Sequence, residues 1–117
     1  DYPEGGKKHI WPELQALQPA ATQEITHQDI KDRLLFCQSV EAVRCLEEKV
    51  LRSVEDCNIG SILGLGFPVY TGGQLQYINS YGVQAFADRA QELAGKFGER
   101  FSPPALLLEM AAANKTF

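Results

Sequence analysis

Apolar residues recur at helical spacing through most of the chain, and no stretch alternates apolar and polar residues between hairpin turns as a half-buried strand does. The strongest period runs from Val83 to Phe97, where an apolar side chain returns every three or four residues. Gly82 and Gly98 flank this segment, and glycine is typical of the residue just past a helix end. We predict a helix here and a shorter helix over 74–81 that ends at Gly82 in a left-handed cap.

A longer helix is predicted from Thr26 to about Val50. Thr26 and Asp29 have the spacing of a capping box, in which side chains satisfy the first free N–H groups of a helix. The helix is apolar on two sides, so we expect it to be central to its domain and to expose one side when no partner covers it. One apolar stripe contains Leu35, Ala42, Val43, Leu46 and Val50, and the other contains Ile30, Leu34 and Cys37.

Two further helices are predicted from their caps and breakers. Ser53 and Asp56 repeat the capping pattern, and Gly64 and Gly66 end the helix that they begin. The last helix begins after residues 102–104, where two prolines follow a serine, and ends near residue 114. The predicted fold is all-α: a compact bundle of four to five helices with an extended N-terminal lead-in segment.

The chain divides into a lead-in segment, residues 1–24, and a helical domain, residues 25–117. Prolines and glycines interrupt the lead-in segment, and helical spacing appears only over residues 11–17. Two interpretations remain open for this segment: a partly ordered linker, or a strap docked on the bundle through Ile10, Trp11, Leu14 and Leu17.

Length and charge narrow the class of protein. A chain of 117 residues fits one domain, and 44% hydrophobic with 22% charged residues is typical of a globular protein rather than a disordered one. A net charge of −4 provides no basic field for nucleic acid. No apolar stretch approaches the roughly 20 residues of a membrane-spanning helix. The chain begins without Met and has no signal-peptide pattern, so we expect a piece of a larger protein.

Residues that commonly carry chemistry are sparse. Cys37, Cys45 and Cys57 form no CxxC pair, and we predict buried thiols in a reducing compartment. His9 and His27 have no second ligand at metal-binding spacing, so we expect no metal site.

Glu41 falls on the side of the long helix that carries the second apolar stripe, where a carboxylate needs a partner. Arg44 can supply the opposite charge, or N–H groups of a neighbouring loop can donate hydrogen bonds to the carboxylate. We interpret Glu41 as part of a structural network rather than as a general acid or base.

The glycine-rich segment 64–69 invites comparison with a dinucleotide-binding GxGxxG loop. Val69 occupies the position of the third glycine and no strand precedes the segment, so the comparison fails. Gly72 and Gly73 could hold a phosphate group at a helix start. The favoured interpretation is that these two glycines, with Gly64 and Gly66, permit positive φ values and a close approach of helices.

Five short motifs follow one another in the helical domain: Asp32-Arg33-Leu34-Leu35, Glu41 to Glu48, Ser53 to Asp56, Gly64-Leu65-Gly66-Phe67-Pro68, and Gly72-Gly73. Their ordered combination resembles the C-terminal helical domain of the 3-hydroxyacyl-CoA dehydrogenase family, especially the second copy of that domain in multifunctional fatty acid oxidation enzymes. The structural motif residues that the resemblance singles out are Glu41, Arg44, Gly64, Gly66, Phe67, Pro68, Gly72 and Gly73.

The resemblance implies a parent enzyme of fatty acid β-oxidation that oxidises 3-hydroxyacyl-CoA to 3-ketoacyl-CoA with NAD. A separate nucleotide-binding domain of the parent would hold NAD and the catalytic histidine and glutamate. We therefore expect no catalytic or cofactor-binding residue in this chain and no activity from it alone. Its implied partners are the remainder of the parent chain, the acyl-CoA substrate and a second copy. The implied compartment is a bacterial cytoplasm, with mitochondria and peroxisomes as alternatives.

The chain also departs from the family pattern. Related domains usually have Asn-Glu-Ala where Val40-Glu41-Ala42 stands, a glycine at the position of Lys49 and a basic residue at the position of Thr71. Losing the amide and the basic side chain favours a scaffold role over contact with substrate. The rival interpretations are a stand-alone helical protein-interaction module without a catalytic role and an independent acyl-CoA or lipid-binding bundle.

Overall fold

The computed structural model describes residues 5–18 and 24–117, and within these ranges every regular element is helical and no strand occurs. The α-helices are α1 (Leu14–Leu17), α2 (His27–Glu47), α3 (Val54–Leu65), α4 (Gln74–Tyr81), α5 (Val83–Phe97) and α6 (Ala105–Ala112), with 3-10 turns at Val69–Thr71 and Glu99–Phe101. The predicted all-α bundle is confirmed, and α2 to α6 are its five main helices. None of the helices in the described ranges has the length and apolarity needed to cross a bilayer.

Two predicted caps begin α2 and α3. The Thr26 hydroxyl accepts a hydrogen bond from the N–H of Asp29 at 3.0 Å, and the Ser53 hydroxyl accepts one from the N–H of Asp56 at 3.1 Å. Each bond satisfies one of the N–H groups that a helix leaves free at its start. The predicted N-caps are confirmed at both positions, while the Asp29 carboxylate accepts a hydrogen bond from Arg89.

The end of α2 lies three residues before the predicted one. The helix stops at Glu47 because Lys49 adopts a left-handed conformation with φ of 62°. The N–H of Val50 then donates to the carbonyl of Cys45 at 2.9 Å, and the N–H of Lys49 donates to the carbonyl of Leu46 at 3.1 Å. This pair of bonds is a Schellman motif, formed here without the usual glycine.

One side of α2 supplies the centre of the core, where the helix packs against α4, α5, α6 and the turn at 99–101. The first predicted stripe is correct in the body of the helix, where the buried residues are Leu35, Ala42 and Val43. It is wrong at Val50, which lies past the helix end and is exposed. It also omitted Phe36 and Val40, which are completely buried.

An aromatic cluster surrounds Phe36. Its ring stacks on that of Phe86 from α5, with centroids 4.0 Å apart and planes 5° from parallel. Tyr77 and Tyr81 of α4 pack edge-on against it, at 6.1 and 5.2 Å between centroids. Burial among these rings raises the pKa of Tyr77 to about 12. The cluster fixes α2, α4 and α5 to one another.

The second predicted stripe of α2 is not covered. Ile30 and Leu34 are exposed and Cys37 is half-buried. Helix α2 therefore packs into the core with one apolar side, and its second apolar side remains uncovered.

Helices α4 and α5 have the predicted bounds, but the junction between them differs from the prediction. Gly82 has φ of 94° and ψ of 118°, which is not the left-handed helical conformation expected for it. The difference arises because α5 begins at the next residue, so Gly82 ends one helix and starts the other without an intervening loop.

The lead-in segment contains the single helical turn α1, as predicted. Its remaining residues 1–4 and 19–23 lie outside the described ranges. The four apolar side chains of the segment are exposed rather than packed on the bundle: Ile10, Trp11, Leu14 and Leu17. In this structure the segment is not a docked strap.

Candidate functional site

The second half of helix α3 presents large apolar residues to the exterior of the bundle. Ile59 is 59% exposed, Leu63 is 81% exposed, and Ile62 between them is half-buried. Only Cys57 and Ser61 of this helix are buried. A helix that stabilised the domain by hydrophobic burial alone would have the opposite orientation. We call Ile59, Ile62 and Leu63 the outer face of α3.

Hydrogen bonds explain the polar inner side of α3. The Oδ1 atom of Asn58 accepts from the N–H groups of Leu75 at 3.0 Å and Gln76 at 3.1 Å. The hydroxyl of Ser61 accepts from the N–H of Gln74 at 3.2 Å. Two side chains of α3 therefore satisfy the free N–H groups at the start of α4, a role that a residue next to the helix start usually fills.

The Gly72-Gly73 pair allows α3 and α4 to approach. Gly72 has φ of 77° and Gly73 has φ of 113°, both in regions that favour glycine. A Cβ at position 73 would lie 2.5 Å from the Cα of Asn58. The N–H of Gly73 donates to the Thr71 hydroxyl at 3.2 Å. The first N–H groups of α4 are thus bonded within the protein, which excludes the phosphate interpretation and supports the structural one.

The other members of the glycine-rich motif build the same connection. Gly66 ends α3 in a left-handed conformation with φ of 72°, and Phe67 is buried. The carbonyl of Pro68 accepts hydrogen bonds from the N–H and the hydroxyl of Thr71. Gly64 has neither a positive φ nor a neighbour close to its missing Cβ, so the predicted role is wrong for this glycine.

A groove of about 450 Å³ runs between α2 and α3, and all three cysteines line it. Cys57 is buried, and burial raises the pKa of its thiol because a thiolate is less stable away from water. Cys37 and Cys45 are only half-buried, so the prediction of buried thiols is correct for one of the three. The charged residues lining the groove are Glu41 and Asp56, both acidic.

Glu41 and Arg44 form the predicted ion pair, 3.0 Å apart, but Glu41 is 63% exposed. Exposed pairs contribute at most about 1 kcal/mol. Arg44 also donates to the carbonyl of Ser102 at 2.9 Å, which connects α2 to the residues before α6. The carboxylate that accepts from a backbone N–H is Glu47 instead, which bonds Leu106 at 2.9 Å near the start of α6. The alternative partner proposed for Glu41 is therefore wrong.

Sequence inspection missed a charged cluster around Arg89. Its guanidinium donates to Asp32 at 2.8 Å and to Asp29 at 2.6 Å, and it pairs with Glu92 at 2.8 Å. Burial acts to lower the pKa of Arg89, but these three hydrogen bonds raise it. The bond from Arg89 also holds the pKa of Asp29 below its usual value. Asp32 is almost completely buried. Its position one helical turn before the buried Leu35 and Phe36 was the available signal.

His9 and His27 are both exposed. In the part of the chain that the structure describes, no three His, Cys, Asp or Glu side chains are placed to hold a metal ion together. The candidate functional features are thus surfaces: the outer face of α3 and the groove between α2 and α3. No protein-family model matches the chain.

Proposed function

We propose that the chain is a supporting C-terminal helical domain of an NAD-dependent 3-hydroxyacyl-CoA dehydrogenase of fatty acid β-oxidation. NAD and the catalytic residues belong to a nucleotide-binding domain of the parent protein, outside these 117 residues. The domain packs against the remainder of the parent and helps to enclose the acyl-CoA substrate.

The observation that carries this proposal is the outer face of α3. Large apolar residues that face outward at helical spacing mark a surface that another protein surface covers. The inner side of the same helix is committed to capping α4, so α3 cannot rotate to bury Ile59 and Leu63 without breaking those hydrogen bonds. The exposure of this face is therefore built into the fold.

The positions of the motif residues also support the proposal. The glycine-rich motif and the Gly72-Gly73 pair together form the connection that sets the orientation of α3 against α4. The resemblance to the dehydrogenase domain rests mainly on this block. Residues of the motif thus maintain a docking surface rather than a reaction centre.

The first experiment compares NADH oxidation with acetoacetyl-CoA by the chain alone and by the full-length parent at equal molar concentration. We expect turnover only from the parent. A parent variant with Leu63→Glu is expected to lose rate or stability because the charge would be buried in the interface. The matched control is Leu108→Glu, since Leu108 is another exposed leucine, on α6.

Two results would contradict the proposal. One is turnover by the chain alone. The other is a parent whose stability and dehydrogenase rate are unchanged when residues 25–117 are deleted.

The outer face of α3 also favours a second candidate, a stand-alone helical protein-interaction module without a catalytic role. The two candidates differ in whether the same gene encodes a nucleotide-binding domain. The groove between α2 and α3 would suit a third, an independent acyl-CoA or lipid-binding bundle. That candidate predicts thermal stabilisation by acyl-CoA, and no shift at millimolar ligand would contradict it.

A further inference from the structure

The groove between α2 and α3 has mostly apolar walls. Both helices and the connection between them line it, and its apolar side chains include Ala42, Leu51 and Leu65. Its volume of about 450 Å³ lies in the range of pockets that hold small molecules. A ligand that fills this groove therefore needs an apolar body.

One polar side chain in the wall has an unused hydrogen-bond donor. Gln74, at the start of α4, lines the groove and is only 6% exposed. Its Oε1 atom lies 4.0 Å from the Sγ atom of Cys57, which also lines the groove. Its Nε2 atom donates no hydrogen bond to any residue in the ranges 5–18 and 24–117, and it is not sealed from solvent. A ligand oxygen that enters the groove would satisfy this donor.

The charge at the groove is negative. Its charged lining residues are Glu41 and Asp56. Arg44 pairs with the Oε2 atom of Glu41, whereas Asp56 has no ion pair among the residues that the structure describes. Two carboxylates attract a ligand cation and repel a ligand anion.

We propose that this groove binds a small organic cation that has an apolar body and a hydrogen-bond acceptor. The apolar walls cover the body of the ligand, Gln74 donates to its acceptor, and Glu41 and Asp56 face its positive charge. The inference does not depend on the proposed enzyme context, because every residue that lines the groove belongs to this chain.

Two matched probe molecules test the charge preference. Phenylalaninamide combines an aromatic ring, a carbonyl oxygen and an ammonium group, whereas N-acetylphenylalanine keeps the ring and a carbonyl but is an anion. An NMR titration of the isotopically labelled chain at about pH 6, below the pKa of a free α-amino group, measures both dissociation constants. We expect phenylalaninamide to bind at least about tenfold more tightly.

The cysteines report where the probe binds, because all three line the groove. Cys37 and Cys45 are half-buried, so N-ethylmaleimide should label them in the free chain. A saturating concentration of phenylalaninamide should slow this labelling, as measured for each cysteine by mass spectrometry.

Substitutions test the walls, the charge and the donor separately. Gly60→Leu should abolish binding by filling the groove, since Gly60 lines it and a Cβ there meets open space. Gly64→Leu, in the same helix but outside the groove, should not. Asp56→Asn should weaken phenylalaninamide binding about threefold, whereas Glu55→Gln, one residue away and outside the groove, should leave it unchanged. Gln74→Leu should weaken it by about twofold to tenfold.

Four results would overturn the proposal. The first is N-acetylphenylalanine that binds as tightly as phenylalaninamide or more tightly. The second is phenylalaninamide that does not bind at about 10 mM. The third is unchanged labelling of Cys37 and Cys45 when phenylalaninamide is saturating. The fourth is undiminished binding by Gly60→Leu; if circular dichroism shows that this variant fails to fold, equal affinity of Asp56→Asn and Glu55→Gln takes its place.

Discussion

Replacing Gly73 with alanine tests the close approach of α3 and α4. Gly73 has φ of 113° and ψ of 172°, a region that is essentially restricted to glycine. The new Cβ would lie 2.5 Å from the Cα of Asn58, a backbone atom that cannot move without the helix. The substitution therefore strains the backbone and also forces α3 away from α4.

The expected loss follows from these two effects. Holding alanine in this conformation costs about 1–3 kcal/mol. Separating the helices stretches the bonds from Asn58 to Leu75 and Gln76, each worth about 0.5–1.5 kcal/mol. Gly73→Ala is thus expected to lower the free energy of unfolding by roughly 2–6 kcal/mol.

Urea unfolding monitored by circular dichroism measures this change through the transition midpoint. Gly64→Ala is the matched control, because Gly64 lies inside α3 with normal φ and with open space around the missing Cβ. It should stabilise the domain by about 0.5–1 kcal/mol through helix propensity. A Gly73→Ala variant within about 0.5 kcal/mol of wild type would refute the argument.

Four further substitutions or conditions test other parts of the structure. Arg89→Met should lower the free energy of unfolding by about 3–5 kcal/mol, because it removes the positive charge paired with the buried Asp32 carboxylate and leaves only the hydrogen bond from Gln28. A loss below about 1 kcal/mol in urea unfolding would contradict this. Lys49→Gly should raise the melting temperature. It relieves about 1–2 kcal/mol of strain from the left-handed backbone at residue 49, which exceeds the entropy cost of glycine. A lower melting temperature would count against the Schellman motif. The hydrogen bond from Arg89 makes the pKa of Asp29 lower in the folded chain than in the unfolded chain. The Asp29 carboxylate therefore stabilises the fold above its unfolded pKa of about 3.9, and this stabilisation is lost as pH falls through the folded pKa. Asp29→Asn should therefore flatten the acid limb of a pH–stability curve, and an unchanged limb would contradict that assignment. The isolated chain should self-associate in light scattering and Leu63→Glu should remain monomeric; a wild type that is monomeric across a wide concentration range would remove the basis for this expectation.

Much of the helical framework could be predicted because its signals are local. The caps at Thr26 and Ser53 depend on a residue three positions away, and the period of α5 repeats within one segment. The end of α2 was misplaced because Lys49 takes a conformation that its residue type does not favour. The residues around Lys49 contain no pattern that predicts a left-handed conformation there.

Contacts between distant residues escaped prediction. The hydrogen bond from Arg89 to Asp32 joins residues 57 positions apart, and the bonds from Leu75 and Gln76 to Asn58 span 17 and 18. Sequence spacing also shows that α3 is rich in apolar residues but does not show which side faces the core. The outer face of α3 points outward because the inner side of the helix holds the polar contacts to α4.

The cap that Asn58 provides for α4 has a consequence for the order of folding. Helix α4 has eight residues and takes no side-chain cap from its own N-terminal neighbour. So short a helix is marginal in water by itself. Its first turn is completed only when α3 is already formed and in contact, so the two helices and their connection are expected to form and open as one cooperative unit. The backbone amides of Leu75 and Gln76 should then exchange their hydrogens only when that whole unit opens.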